Sequence, residues 1–296
     1  MSSLNGKTVG FVGLGLMGMP MCRNMLKAGL DVVATTRSPG ALKEIEGKGA
    51  KTAATPGAVA EQADIVVIMV ADTRAVEAVL SGDNGIITGL RAGALIIDMG
   101  TTAVTATKGF AASVIEAGGA YVDAPVSGGT VGAEGGSLTI MAGGDEQAME
   151  RARPVLEILG SRITHVGPVG TGQVAKAANQ VIVGLNIGAV AEALMLAAHA
   201  GADPARVREA LKGGFADSRI LEVHGQRMID KTFAPGGKVV TQRKDIAQAL
   251  ELAAELGIEL PATGLNKKLF ERLIESGDGE LDHSALIKAL DPDWTG

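Results

Sequence analysis

The sequence predicts an α/β protein: a doubly wound parallel sheet with helices on both faces, followed by an all-helical C-terminal domain. Three observations predict it. Short β-branched runs alternate with helical stretches from Lys7 to about Val166, a glycine-rich turn joins the first strand to the first helix, and strand signals stop after Gly172.

The predicted strands are Thr8–Val12, Asp31–Thr35, Ile65–Val70, Ala94–Asp98 and Tyr121–Ala124, with Leu138–Ala142 and Ile163–Val166 closing the sheet. Helical patterns fall between them at Met17–Ala28, Gly40–Lys48, Thr73–Leu80, Thr105–Ala117 and Glu146–Leu159. A long helix from Thr171 to Ala200 would span about 45 Å at the α-helical rise. Further helices are expected at Pro204–Leu211, where Asp203 reads as the N-cap, and at Ile220–Ile229, Arg243–Leu256, Ala262–Ser276 and Ser284–Ala289. These elements divide the chain into a dinucleotide-binding domain, 1–167, and an all-helical substrate and oligomerisation domain, 168–296. A cleft between the two is the simplest arrangement.

Composition excludes several classes. The 296 residues include 42 glycines without a three-residue period and only seven aromatics (five Phe, one Tyr, one Trp), which rules out collagen. With 46% apolar and 20% charged residues, the bulk of the chain has enough apolar content for a sizeable core. Net charge is −6 and no basic cluster stands out, so no nucleic-acid partner is expected. The single cysteine, Cys22, excludes an internal disulfide, and the four histidines look too dispersed for a metal site. Met1–Lys7 lacks the charged and apolar regions of a signal peptide. Ala177–Ala198 is apolar, but Asn179, Gln180, Asn186 and Glu192 interrupt it, which suits a buried helix better than a membrane span. A cytoplasmic protein is the resulting expectation.

The first strand runs into Gly13-Leu14-Gly15-Leu16-Met17-Gly18. In a strand–turn–helix context this spacing is a Rossmann-type dinucleotide fingerprint: Gly13 for the tight turn, Gly15 for approach of the pyrophosphate, Gly18 for close helix–strand packing. At the tip of the second strand, Thr35-Thr36-Arg37-Ser38 carries no carboxylate to hold a ribose 2′-hydroxyl. Arg37 could pair with a 2′-phosphate while Ser38 donates a hydrogen bond, so NADP(H) is favoured with NAD(H) possible; the competing reading is a solvated loop arginine. Val70 and Ala71, and Gly100-Thr101-Thr102, follow strand ends where the rest of the cofactor would lie.

The segment Asp123 to Thr139 is rich in glycine. Ser127 with the amides of Gly128 and Gly129 could form a donor nest for a carboxylate, or the segment could be only a turn. Lys176, Asn179 and Gln180 are spaced i, i+3, i+4 and share one face of the long helix. Burying a lysine there is costly, and desolvation would favour the neutral form useful in acid–base work. Snorkelling to the surface is the alternative. Lys244-Asp245 opens a later helix and by itself would be an ordinary surface pair.

Four segments in this order resemble the β-hydroxyacid dehydrogenase family: Gly13-x-Gly15-x-x-Gly18 with Met21 and Asn24, Asp123-Ala-Pro-Val-Ser-Gly-Gly, Gly170-x-Gly-x-x-x-Lys176-x-x-Asn179, and Lys244-Asp245. Gly213-Gly214, Asp282-His283-Ser284-Ala285-Leu286 and the residues after Asn179 are most similar to its tartronate semialdehyde reductase branch. The resemblance implies an NAD(P)-dependent oxidoreductase that interconverts a β-hydroxy acid and its semialdehyde. It makes Lys176 the general acid, gives the substrate carboxylate to Ser127, Gly128 and Gly129, and has Asn179, beside Gln180, orient the substrate. Thr101 and Lys244 would contact the cofactor, with Asp245 beside them. A small anionic substrate, no metal, and a homodimer or homotetramer are the corresponding expectations. The alternatives are a 3-hydroxyisobutyrate-type dehydrogenase working oxidatively, and a non-catalytic cofactor-binding module. The sequence departs from the family at Gly237, which stands where a phenylalanine is usual, eight residues before Asp245. Lys238 and Arg243 nearby could receive a second polar group of the substrate or lie on the surface.

Overall fold

The computed structural model describes Leu4 and residues 6–296; the leader-peptide reading of Met1–Lys7 therefore rests partly on residues 1–3 and 5, outside the described residues. The chain forms two compact units, Met1–Lys176 and Ala177–Gly296.

In the first unit, β1 (Thr8–Val12), β2 (Asp31–Thr35), β3 (Lys51–Thr52), β4 (Ile65–Ile68), β5 (Leu95–Asp98) and β6 (Ala120–Asp123) pair in parallel in the order β3-β2-β1-β4-β5-β6. Strand order reverses between β1 and β4, the place where a doubly wound sheet opens a ligand crevice at the carboxyl ends of its strands. Beyond β6 the sheet changes character: β7 (Val126–Ser127) and β8 (Leu138–Gly143) run antiparallel, and β9 (Gly160–Gly167) pairs in parallel with β8. The pairs Asp123↔Gly143, Val126↔Ile140 and Ser127↔Thr139 keep one register, so β7 continues β6 across the break at Ala124-Pro125.

Alternation explains why the sheet is covered on both sides. Val9, Phe11, Val67, Leu95, Ile97 and Val122 pack with Met21 and Met25 of α1 (Gly18–Lys27) on one face. Their neighbours Val66, Ile68, Ile96 and Tyr121 pack on the other, with Val59 of α3 (Pro56–Ala60), Val76 and Leu80 of α4 (Thr73–Ser81), and Phe110 and Val114 of α5 (Val104–Glu116). Helix α2 (Pro39–Glu46) buries Ile45 against the first face. Each such large apolar side chain contributes about 1.5–3 kcal/mol by leaving water. Helix α6 (Gly129–Gly135) and α7 (Glu146–Leu159) complete this unit.

Helix α8 (Thr171–His199) starts in the first unit and ends in the second. It is long and apolar enough to cross a membrane by length and composition. In the second unit, however, its Ile187, Ala191 and Leu194 are fully buried among side chains of other helices. These include Leu221 and Met228 of α10 (Arg219–Asp230), Ile246 of α11 (Val239–Glu255), and Phe270 and Leu273 of α12 (Pro261–Glu275). Helix α9 (Pro204–Leu211), a 3-10 turn at His283–Leu286 and α13 (Ile287–Leu290) complete the unit.

Several expectations need correction. Helix α11 begins at Val239 rather than Arg243. Its first amides are satisfied from afar: Val239 donates to the Leu281 carbonyl at 2.9 Å and Val240 to that of Gly279 at 3.1 Å, so no local capping residue signals the start. The short elements β3, α3, β7 and α6 were not anticipated, and β9 begins at Gly160 rather than Ile163 because its early residues are an exposed, polar edge.

Candidate active site

The glycine fingerprint separates two kinds of requirement. Gly13 has φ +104°, and a side chain there would collide with the Met69 carbonyl; at Gly18 it would collide with the Gly13 carbonyl. These two glycines serve the fold. Gly15 has ordinary backbone angles and nothing within 4 Å of where a Cβ would sit. Its smallness is not needed by the chain itself, which fits a turn that a pyrophosphate approaches closely. Leu14 is buried in the core, Met17 is half-buried, and Leu16 is exposed.

At the end of β2, Arg37 is exposed and its side chain has no partner among the described residues. Ser38 occupies the N-cap position of α2 but makes no capping hydrogen bond. An unengaged guanidinium, an unengaged hydroxyl and an uncapped helix N-terminus form a set suited to a phosphate. Val70 and Ala71 lie just past the end of β4, half-buried and exposed respectively.

The end of β5 and the start of α8 are tied by buried polar groups. Asp98 accepts from the Tyr121 hydroxyl at 2.9 Å and from the Gly100 amide at 3.0 Å. The Gln173 side chain donates to the Gly100 carbonyl at 2.9 Å and accepts from the Thr102 amide at 3.1 Å, which fixes the half-buried Thr101 between them. Asp123 accepts from the Gly170 amide at 2.7 Å and the Gln173 amide at 2.9 Å. Burial pushes its carboxyl up to about 6, against the opposing pull of those amides. Asp123, which opens the motif, is therefore the anchor of α8. The single thiol, Cys22, is buried and pushed up to about 12, which leaves it unreactive.

Lys176 is 7% exposed, and its Nζ donates to the Val126 carbonyl at 2.7 Å. The lysine is thus buried rather than snorkelling, and adjoins Ser127. Gly128 (φ +135°) and Gly129 (φ +60°) follow, with Gly128 as N-cap of α6 and no side chain capping that turn. The segment is therefore neither a plain turn nor an isolated nest. Asn24, part of the sequence motif, donates to the Ala133 and Glu134 carbonyls at 2.8 and 3.3 Å, holding the far end of α6.

In the second unit, Gln180 donates to Asp245 Oδ2 at 2.7 Å and to Gln242 Oε1 at 3.0 Å, and accepts from Asn179 Nδ2 at 2.7 Å. Asp245 is 4% exposed and pairs with Lys244 at 2.9 Å, so Lys244-Asp245 is not the surface pair expected, nor does it open its helix. Gly184 of α8 makes room for this web, since a Cβ there would lie 2.8 Å from Asn266 Oδ1 and 3.1 Å from Gln242 Nε2. Lys238 is taken by Glu280 at 2.6 Å, and Arg243 lies 3.9 Å from Glu271.

Sequence reasoning missed His224 and His283. Far from being dispersed, their Nε2 atoms lie 2.7 Å apart, and with Asp282 they group metal-type donor atoms. The Asp282 oxygens are already committed to Ser284, Gly236, Gly237 and Arg227, so the trio suits a hydrogen-bonded pair over a structural carboxylate better than a metal.

Two family models match: the NAD-binding domain of 6-phosphogluconate dehydrogenase over residues 8–167, and the NAD-binding domain of NADP-dependent 3-hydroxyisobutyrate dehydrogenase over 170–290. The chain is a member of the β-hydroxyacid dehydrogenase family. It is 51% identical to 2-hydroxy-3-oxopropionate reductase of Escherichia coli K12, covering 96% of this chain and 97% of that protein. It is 37% identical to 2-(hydroxymethyl)glutarate dehydrogenase of Eubacterium barkeri, covering 95% and 93%. The crystal structure of 3-hydroxyisobutyrate dehydrogenase from Salmonella typhimurium superposes with TM-score 0.87 at 31% identity, covering 95% and 99%. As a β-hydroxyacid dehydrogenase family member, the chain is an NAD(P)-dependent oxidoreductase with the anticipated Rossmann-type sheet and helical C-terminal domain.

Proposed function

We propose that this enzyme reduces a small 3-oxo acid, of the tartronate semialdehyde to glycerate type, with NADP(H) favoured over NAD(H). The observation that carries the reading is Lys176, a buried amine tied to the Val126 carbonyl and adjacent in space to Ser127. Support for the substrate class comes from the E. coli relative, whose name is that of a 2-hydroxy-3-oxopropionate reductase.

In this reading residues 1–167 bind the dinucleotide and 168–296 serve substrate binding and oligomerisation. Gly13, Leu14, Gly15, Leu16, Met17 and Gly18 hold the pyrophosphate with backbone groups, Arg37 and Ser38 a 2′-phosphate, and Val70, Ala71, Thr101, Lys244 and Asp245 the remainder. The reduced nicotinamide, when bound, supplies a hydride for the carbonyl carbon. Lys176 Nζ gives a proton to the carbonyl oxygen, completing the alcohol, and regains one from water. Ser127 with the Gly128 and Gly129 amides holds the carboxylate, and Asn179 and Gln180 orient the substrate.

The partner assignments follow from the surface. Ile182 and Leu196 of α8 are 61% and 70% exposed, which supports a homodimer or homotetramer covering them. A cytoplasmic location is proposed, with no nucleic-acid or membrane partner. The test is a panel of C3–C5 semialdehydes and β-hydroxy acids assayed with both cofactors. Preferential NADPH oxidation with tartronate semialdehyde is expected; preference for 3-hydroxyisobutyrate with NAD+, or no turnover, overturns the reading.

A further inference from the structure

The buried web of the second unit has a direction, and one residue sets it. Asp245 is a carboxylate and can only accept, so the Gln180 atom 2.7 Å from its Oδ2 is the amide nitrogen. From there every other assignment follows. Gln180 Oε1 faces Asn179 Nδ2 at 2.7 Å, and Gln180 Nε2 faces Gln242 Oε1 at 3.0 Å. Gln242 Oε1 cannot donate, so His283 Nδ1, 3.4 Å away, carries the hydrogen. Where His283 carries no second proton, its Nε2 accepts, and His224 Nε2, 2.7 Å away, donates to it. His224 Nδ1 ends the chain, buried and without a hydrogen-bond partner among the described residues.

Gly237 belongs to the same construction. A Cβ on it would sit 3.2 Å from His283 Cε1, 3.4 Å from Nε2 and 3.6 Å from Nδ1, so the imidazole lies against the bare glycine. A side chain at 237 would press on the imidazole, so His283 would have to shift to admit one.

We propose that His283, its tautomer held by His224 and its place made by Gly237, is a positioning residue that closes this chain and so presents the Asn179 amide to substrate in a single orientation. The proposal rests on the reading of Asn179 as a substrate-binding residue. Two further features agree with it. Burial lowers the pKa of His224, with Arg227 adding to that and Asp282 opposing it, so His224 stays neutral near pH 7. Asn179 also keeps Oδ1 and one Nδ2 hydrogen for a ligand after bonding to Gln180.

The test combines substitution with imidazole 15N NMR. His283→Leu removes the donor, and the substrate KM should rise about tenfold, the scale of one lost hydrogen bond, with kcat and the NADPH KM within twofold. His283→Asn puts an amide N–H near the position of Nδ1 and should restore the KM. If His283→Leu does not fold, Gln242→Met cuts the same chain and should give the same rise. In the unsubstituted enzyme, NMR should show His283 protonated at Nδ1 and His224 at Nε2. An unchanged KM in a folded chain-cutting variant, or the opposite tautomers, overturns the proposal. The tautomers are read without substrate, and the KM on whichever semialdehyde is turned over, so failure of the tartronate semialdehyde assignment would show separately.

Discussion

Lys176 Nζ donates to the backbone carbonyl of Val126 at 2.7 Å, so the amine is held beside Ser127 by a bond that side-chain variation around it leaves in place. Lys176→Ala should therefore lower kcat by about 10²–10⁴-fold, the usual worth of a positioned general acid. Because the lysine is not assigned to the cofactor, NADPH affinity measured by fluorescence titration should stay within about twofold. Lys176→Arg should not rescue, since a guanidinium remains protonated and gives up its proton poorly. Undiminished turnover in Lys176→Ala rules the mechanism out.

Arg37 is exposed at the end of β2, with no side-chain partner among the described residues. Charge-assisted bonds to a 2′-phosphate are worth about 1.5–3 kcal/mol, so Arg37→Ala should lower kcat/KM for NADPH by about 10–100-fold. NADH, which lacks that phosphate, should be nearly unaffected. An equal fall with both cofactors would contradict the assignment.

The long elements were legible because their periodicities are sustained and their partners lie on both faces: β1, β2, α7 and α9 fall at the expected bounds. What escaped was decided by distant groups. Val239 starts α11 on carbonyls of Leu281 and Gly279, some forty residues away, and no nearby residue type encodes that. His224 and His283 meet only through the fold. Lys244-Asp245 looked superficial because a charged pair reads as solvated until Gln180 is known to bond Asp245. Lys176 was legible for the opposite reason: a lone cation on an apolar helix face needs a partner, and the Val126 carbonyl is that partner.

Gly15 and Gly18 should respond differently to alanine. At Gly15 a methyl group meets nothing within 4 Å, so Gly15→Ala should leave the melting temperature within a degree or so while weakening NADPH binding by roughly tenfold or more. At Gly18 the methyl strikes the Gly13 carbonyl, and overpacking of this kind costs about 1–3 kcal/mol. Gly18→Ala should therefore melt several degrees lower before any ligand is added. Thermal melts with and without NADPH separate the two, and a large loss of stability in Gly15→Ala would count against the cofactor explanation of that glycine.

Asp282 is the carboxylate on which the loop before α11 and the His283 turn depend. Its oxygens accept from the Gly236 and Gly237 amides at 2.9 and 3.2 Å, from the Ser284 amide and hydroxyl at 3.0 and 2.6 Å, and from Arg227 at 2.6 Å. Burial alone would push its carboxyl up, but His283, Ser284 and the Gly236 amide outweigh it and hold the group well below the usual carboxylate range. The folded state thus binds this proton less readily than the unfolded chain. The stabilisation is present above pH about 4, the unfolded value, and is lost as pH falls through the folded one. Asp282→Ala should cost about 3 kcal/mol at pH 7, because Arg227 and four other donors lose their acceptor. The gap between wild type and variant in urea melts should narrow progressively below pH 4. A gap that is small at pH 7, or that widens in acid, would show that the carboxylate does not carry this loop.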